Sequence, residues 1–181
     1  TFTETTQLGT ANIAFIQHAI NTPGVAGYAN SPAIGYSSVQ GSNTILAVGE
    51  LLGRQNPNDF SSGDVFIDAG YAAGDYVPGG FGYLLLLHEI GHAMGLNHPF
   101  EGVAPLGTQE DHKGFTVMAY NEAPHSLVVP VTGTQFNFTY GFEFVQPRTL
   151  MLGDILAIQH TYGANTAHRT GNDSYQWTVG E

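Results

Sequence analysis

The apolar pattern changes period along the chain, and each change marks an element. Residues 10–18, TANIAFIQH, mix apolar and polar positions with β-branched and aromatic side chains, which predicts a strand. GYANSP, residues 27–32, predicts a short extended segment stopped by Pro32, which has no N–H for a ladder. Residues 33–62 carry two weaker apolar stretches, TILAV and ELL, among glycine, serine and asparagine, and suit a strand or short helix with loops. In GDVFIDAGY, residues 63–71, Val65 and Ile67 alternate with Asp64, Phe66 and Asp68, which predicts a further strand. The glycine-rich AAGDYVPGGFG that follows lacks the lysine and hydroxyl of a phosphate loop.

From Phe81 to Gly95 the pattern turns helical, and Leu84, Leu85, Leu87, Ile90 and Met94 predict a largely buried helix. Residues 100–117 read as loop, and residues 121–148, rich in aromatics and valine but broken by prolines, as loop or irregular strand. A last helix is predicted where Met151, Leu152, Ile155, Leu156 and Ile158 recur, capped by Thr149 and ended by Gly163. There is no internal repeat, and 181 residues suit one domain, 1–181, burying about 70% of its unfolded surface.

The buried helix carries unusual polar residues in HEIGHAMGLNHP, residues 88–99. A helix advances about 100° and 1.5 Å per residue, so His88 and His92 lie one above the other and can share a metal ion. On a continued helix His98 would sit roughly 9 Å further along and on another side, so the helix has to stop first. Gly95 is placed to stop it, because glycine adopts the positive φ of a helix end without steric cost. Three neutral imidazoles leave a fourth tetrahedral position open, the mark of a catalytic zinc. Glu89 flanks that position as acceptor for a proton of water, whose pKa zinc lowers to about 7. The competing reading is an amphipathic helix with merely polar or core-satisfied histidines. Against it, the five fixed positions of HExxHxxGxxH arise by chance on the order of once in 10⁴ such sequences.

Fifteen acidic against four basic residues give a net charge of −11, which argues against nucleic acid and anionic membranes as partners. No apolar run approaches 18 residues, so no membrane insertion is expected. Without cysteines no disulfide constrains the fold. The opening TFTETT has neither initiator methionine nor apolar signal segment and reads as a processed or excised piece.

HExxHxxGxxH over residues 88–98, followed by FTVMAYN over residues 115–121, resembles the metzincin zinc endopeptidases. Within them the chain is most similar to the serralysins, through the zinc segment, a tyrosine two residues after the methionine, MLGDILAIQHTYGAN at residues 151–165, and the opening TFTE and ANIAF. The resemblance implies an α+β fold: a twisted, mainly parallel sheet, an active-site helix, a C-terminal helix, and a zinc cleft between upper and lower subdomains. It implies zinc on His88, His92 and His98, Glu89 as general base and acid, and Met118 as a hydrophobic floor beneath the metal. It also implies that Tyr120 ligates zinc in the resting enzyme and, after swinging away, donates to the oxyanion. Serralysins carry a helix upstream of TFTE and a calcium-binding β-roll downstream. Neither is present here, and calcium would belong to such a missing C-terminal region.

The expected function is therefore that of a secreted, monomeric zinc endopeptidase, acting on protein or peptide substrates that lie extended along an edge strand, for which GYANSP is the candidate. A proteinaceous protease inhibitor is admitted as a second partner. A zinc hydrolase of a non-peptide substrate and an inactive zinc-bearing binding module are the alternatives, the latter disfavoured by Glu89. Of the other candidates, Asp111 and Asp154 suit orienting the ligands, His160 suits a supporting hydrogen bond, His112 and His125 suit substrate contact, and His18 and His168 suit packing or surface.

Overall fold

The structure, a computed structural model, describes residues 13–30, 63–102, 104–167, 170–172 and 174. The TILAV and ELL stretches, Pro32, the first residues of the TANIAFIQH segment and His168 lie outside the described residues.

Three strands, β1 (Phe15–His18), β2 (Gly27–Ala29) and β3 (Val65–Asp68), form a sheet in the order β1-β3-β2. β1 runs parallel to β3, with Phe15 opposite Val65, and β2 runs antiparallel to it, with Gly27 opposite Ile67. Among the described residues the sheet thus has one parallel and one antiparallel pairing, with β2 at an edge. β3 is central and buried on both faces: Val65 and Ile67 pack with Leu85 and Ala93, and Phe66 stacks on Tyr28 of β2 with His18 edge-on. Two acids hold the sheet's ends. Asp64 accepts the Ala14 N–H at 3.0 Å, and Asp68 accepts those of Ile20 at 2.7 Å and Gly70 at 2.8 Å. The Ile20 and Gly70 N–H bonds, with His18 nearby, hold the Asp68 carboxyl below the usual carboxylate range.

The helix α1 (Phe81–Ala93) is covered on two sides, which explains an apolar pattern broader than a single stripe. Leu85 and Ala93 pack with Val65 and Ile67 of the sheet, while Leu84 packs with Leu96, Val117 and Met118. The helix ends as its glycine predicts. Gly95 has φ +89°, its N–H reaches the His92 carbonyl at 2.8 Å, and the Leu96 N–H reaches the Gly91 carbonyl at 2.9 Å. These paired bonds are the Schellman termination, and Leu96 folds back toward Gly91 as its apolar contact.

The second helix, α2 (Leu152–Tyr162), ends at Gly163 as expected, but its N-cap is Met151 and not Thr149. The reason is Asp154, which reaches back from the first turn to accept the Met151 N–H at 2.8 Å and satisfies the helix start in place of the threonine. Tyr162 at the other end donates to the Met94 carbonyl at 2.9 Å and ties α2 to the end of α1.

Residues 121–148 also differ from the loop or irregular strand expected. β4 (Leu127–Val128), β5 (Val131–Thr134), β6 (Asn137–Tyr140) and β7 (Glu143–Phe144) form two antiparallel ladders, β4 with β7 and β5 with β6. Together they make one hairpin that turns at Gln135 and Phe136.

Candidate metal centre

α1 presents His88 and His92 on one face, and the Schellman turn brings His98 back toward them. The ligating atoms of the three lie within 4.8 Å of one another. His98 Nε2 stands 3.1 Å from His92 Nε2 and 3.3 Å from His88 Nε2. The far nitrogens explain why these three point inward: His88 Nδ1 meets the Val117 carbonyl at 2.8 Å, and His92 Nδ1 meets the Leu96 carbonyl at 2.8 Å. A carbonyl only accepts, so both Nδ1 atoms carry the proton and both Nε2 atoms offer lone pairs. Glu101 Oε1 lies 3.0 Å from His98 Nδ1, near enough to pair with it though not aligned for a full hydrogen bond.

Lone pairs facing one another at these distances repel unless a cation stands among them. Four ligands at 2.0–2.1 Å around zinc give nitrogen separations of about 3.4 Å, close to the two short distances here. The donor set therefore fits zinc. Burial, set against the bond to Val117, lowers the His88 pKa to about 4, and burial lowers that of His92 as well, so both are neutral and ligand-ready at physiological pH.

Glu89, beside His88 in sequence, is 4% exposed, and its Oε2 has no hydrogen-bond partner. Burial pushes its carboxyl up to about 7. Both Glu89 and His88 line an open cleft of about 350 Å³, whose opposite wall is the chain entering β2, from Gly24 to Gly27. Tyr120 lines the same cleft, 61% exposed, and its hydroxyl reaches His98 Nε2 at 2.8 Å. Burial, with Glu101 and Glu89 nearby, raises the Tyr120 pKa and keeps the phenol protonated as a donor.

Met118, 1% exposed, packs against α1 and Leu96. Gly91 makes room for it, since a Cβ there would collide with Met118 Sδ. Gly91→Ala is expected to destabilise the protein by about 1–3 kcal/mol, overpacking outweighing alanine's helix preference of roughly 1 kcal/mol. Thermal unfolding measures it, and an unchanged midpoint would mean that Met118 yields freely.

The turn that carries Met118, here called the methionine turn, is itself clamped. Asp154, 1% exposed, accepts the Thr116 hydroxyl at 2.6 Å and the Val117 N–H at 2.9 Å. Thr116 Oγ1 in turn accepts the Met118 N–H at 3.1 Å. Asp154 thus braces both sides of Val117, whose carbonyl meets His88, whereas Asp111 is bonded by Asn121 and has no hydrogen bond to a histidine of the cluster. His160 is exposed, His112 accepts the Gly114 N–H within its own turn, and His125 occupies a turn at φ 62°. His18 packs edge-on against Tyr28 and Phe66 in the sheet.

Phe100, whose ring lies parallel to that of His98 with centroids 5.0 Å apart, has no signature a single sequence could reveal. Gly91 had one: a glycine inside a buried helix costs stability and signals a close approach.

Among curated proteins, a serralysin of Proteus mirabilis is 31% identical over 177 residues, covering 91% of this chain and 34% of its own length. Serralysin A of Dickeya chrysanthemi is 41% identical over 98 residues, 52% of this chain and 18% of its own. A metallopeptidase AprA of Pseudomonas marginalis is 26% identical over 183 residues, 97% of this chain and 32% of its own. The chain spans about a third of the length of those relatives that match nearly all of it. No family model and no solved structure matches.

Proposed function

Because this chain is serralysin-like over nearly its whole length, we propose that it forms the catalytic domain of a secreted zinc-dependent endopeptidase. The observation that carries this reading is the convergence of three imidazole Nε2 atoms beside a buried, unpartnered carboxylate at the wall of a cleft. His88, His92 and His98 would hold zinc, joined in the resting state by Tyr120, over the floor formed by Met118. Zinc, when bound there, supplies a Lewis acid for the scissile carbonyl and lowers the pKa of coordinated water.

The protein's own residues do the rest. An extended peptide occupies the cleft between β2 and α1, its backbone pairing as an added strand with the edge of β2 that is unpaired among the described residues. On this reading the scissile bond lies beside Glu89 and Tyr120, between the chain entering β2 and the turn that carries Met118. Glu89 Oε2 accepts the proton of the attacking water and then delivers it to the leaving amine. The Tyr120 hydroxyl donates to the oxyanion as the carbonyl becomes tetrahedral.

Digestion of an unstructured protein tests the reading. Cleavage should stop with a chelator and return with added zinc, whereas hydrolysis of a small ester without any peptide cleavage would favour the non-peptide hydrolase. Tyr120→Phe should lower kcat about 100-fold while KM stays within roughly threefold, as expected of a group acting in the transition state. Steady-state kinetics on one peptide decide it, and unchanged kcat removes Tyr120 from the mechanism.

A further inference from the structure

The hairpin that leaves the methionine turn carries an apolar face that the metal centre does not use. Leu127 stands opposite Phe144, Val131 opposite Tyr140 and Gly133 opposite Phe138. The Gly141 N–H bonds the Pro130 carbonyl at 3.1 Å, so one register runs through both ladders. Opposed residues share a face and every second residue returns to it, which sets Leu127 and Val131 beside Phe138, Tyr140, Phe142 and Phe144. Ring centroids 6.5 Å and 5.8 Å apart along Phe138, Tyr140 and Phe142 agree with that assignment. The other face is more polar, with Thr132, Thr134, Asn137, Thr139 and Glu143 beside Val128 and Pro130, and its Thr132 and Thr139 hydroxyls are bonded at 2.8 Å.

These six apolar side chains are each 46–67% exposed, and Phe136 at the turn is 92% exposed. Among the described residues the hairpin strands pack chiefly on one another. A bare two-stranded ribbon is marginally stable in water, and one this apolar needs a cover. We propose that the cover is a second copy of this chain, the two ribbons packing face to face about a two-fold axis.

Area and charge both point to that occupant. At about 200 Å² for a whole aromatic side chain, the face with Phe136 offers roughly 800 Å², the share that one partner contributes to a standard stable interface. From Leu127 to Phe144 the only charged side chain is Glu143, and it lies on the polar face opposite the aromatics. In a chain of net charge −11, this ribbon is where two copies meet without like charges, while the remaining charge repels an anionic lipid surface. The nitrogen of Pro130 faces the partner strand, as its carbonyl does, so its missing N–H leaves a gap inside the hairpin between the two ladders. Such a dimer is isologous, in contrast to the monomer expected from the sequence, and the oligomeric state decides between them.

Sedimentation equilibrium of the 181-residue chain from about 1 to about 100 μM should reveal a monomer–dimer equilibrium that tightens as salt screens the net charge. The double variant Tyr140→Lys, Phe142→Lys should raise the dissociation constant at least about 100-fold. Its counterpart on the polar face, Thr132→Lys with Thr139→Lys, should leave the constant within roughly threefold and controls for damage to the hairpin. A monomer at about 100 μM overturns the proposal, as does a dimer indifferent to the aromatic variant or equally weakened by the threonine one. A monomer that floats with zwitterionic phosphatidylcholine vesicles, and ceases to do so in the aromatic variant, overturns it in favour of a lipid surface.

Discussion

Glu89→Gln is expected to bind zinc with unchanged stoichiometry and to lose about 10⁴-fold in turnover, the upper range for a removed general base. Glutamine keeps the shape and the single unbranched stem, so the cleft wall beside His88 stays as it is. It cannot take up a proton. The fold should also tolerate the change, because Glu89 Oε2 is buried without a partner and forms no bond that the amide would break. The Nδ1 bonds that aim His88 and His92 run to the Val117 and Leu96 carbonyls, and none involves Glu89. Metal content by atomic absorption, thermal unfolding and peptide hydrolysis together separate the outcomes. Turnover within about tenfold of wild type would dismiss Glu89 as the base, whereas loss of the metal would make it part of the binding site.

Asp154→Ala should have the largest effect on stability, about 4 kcal/mol, because it strands three donors at once: the Thr116 hydroxyl and the Val117 and Met151 N–H groups. The loss passes to the metal. Without the carboxylate the Val117 N–H and the Thr116 hydroxyl, which itself holds the 117–118 peptide through the Met118 N–H, lose their anchor; the Val117 carbonyl of that peptide holds the His88 ring, so zinc affinity should fall roughly 10- to 100-fold. Asp154→Asn can still accept the two N–H bonds with its oxygen, and costs about 1–2 kcal/mol. Denaturant melts with and without zinc, and competition against a chelator of known affinity, measure both effects. If alanine lowers stability but leaves affinity untouched, Val117 holds its place without the clamp.

How much of this was legible depended on whether a side chain or a backbone atom carried the information. The α1 termination was readable because only glycine suits φ +89° at position 95, and the ligand spacing followed from helical geometry. The carbonyls of Val117 and Leu96 that fix the ring tautomers were not, since every residue carries one and only the fold selects which is near. Asp154 could be named as a candidate but not assigned, because its partners lie 37 and 38 residues away. The hairpin was missed for a different reason. Its turn, Gln135-Phe136, lacks the Asn-Gly or Asp-Gly signal, and Pro130 argued against a strand. The strict alternation of Phe136, Phe138, Tyr140, Phe142 and Phe144 was nonetheless present to be read. The short sheet was legible in its strands but not in the direction of β2, which periodicity does not encode.

The clamp from Asp154 to the methionine turn also has a consequence for the order of events when the chain is made. Synthesis runs from the amino end, so the histidines and Glu89 leave the ribosome before α2 does, and until α2 follows, the Val117 N–H and the Thr116 hydroxyl lack the carboxylate that accepts them. A metal centre of this design is completed from the far end of the chain, its three histidines made first and the carboxylate that braces their support made last.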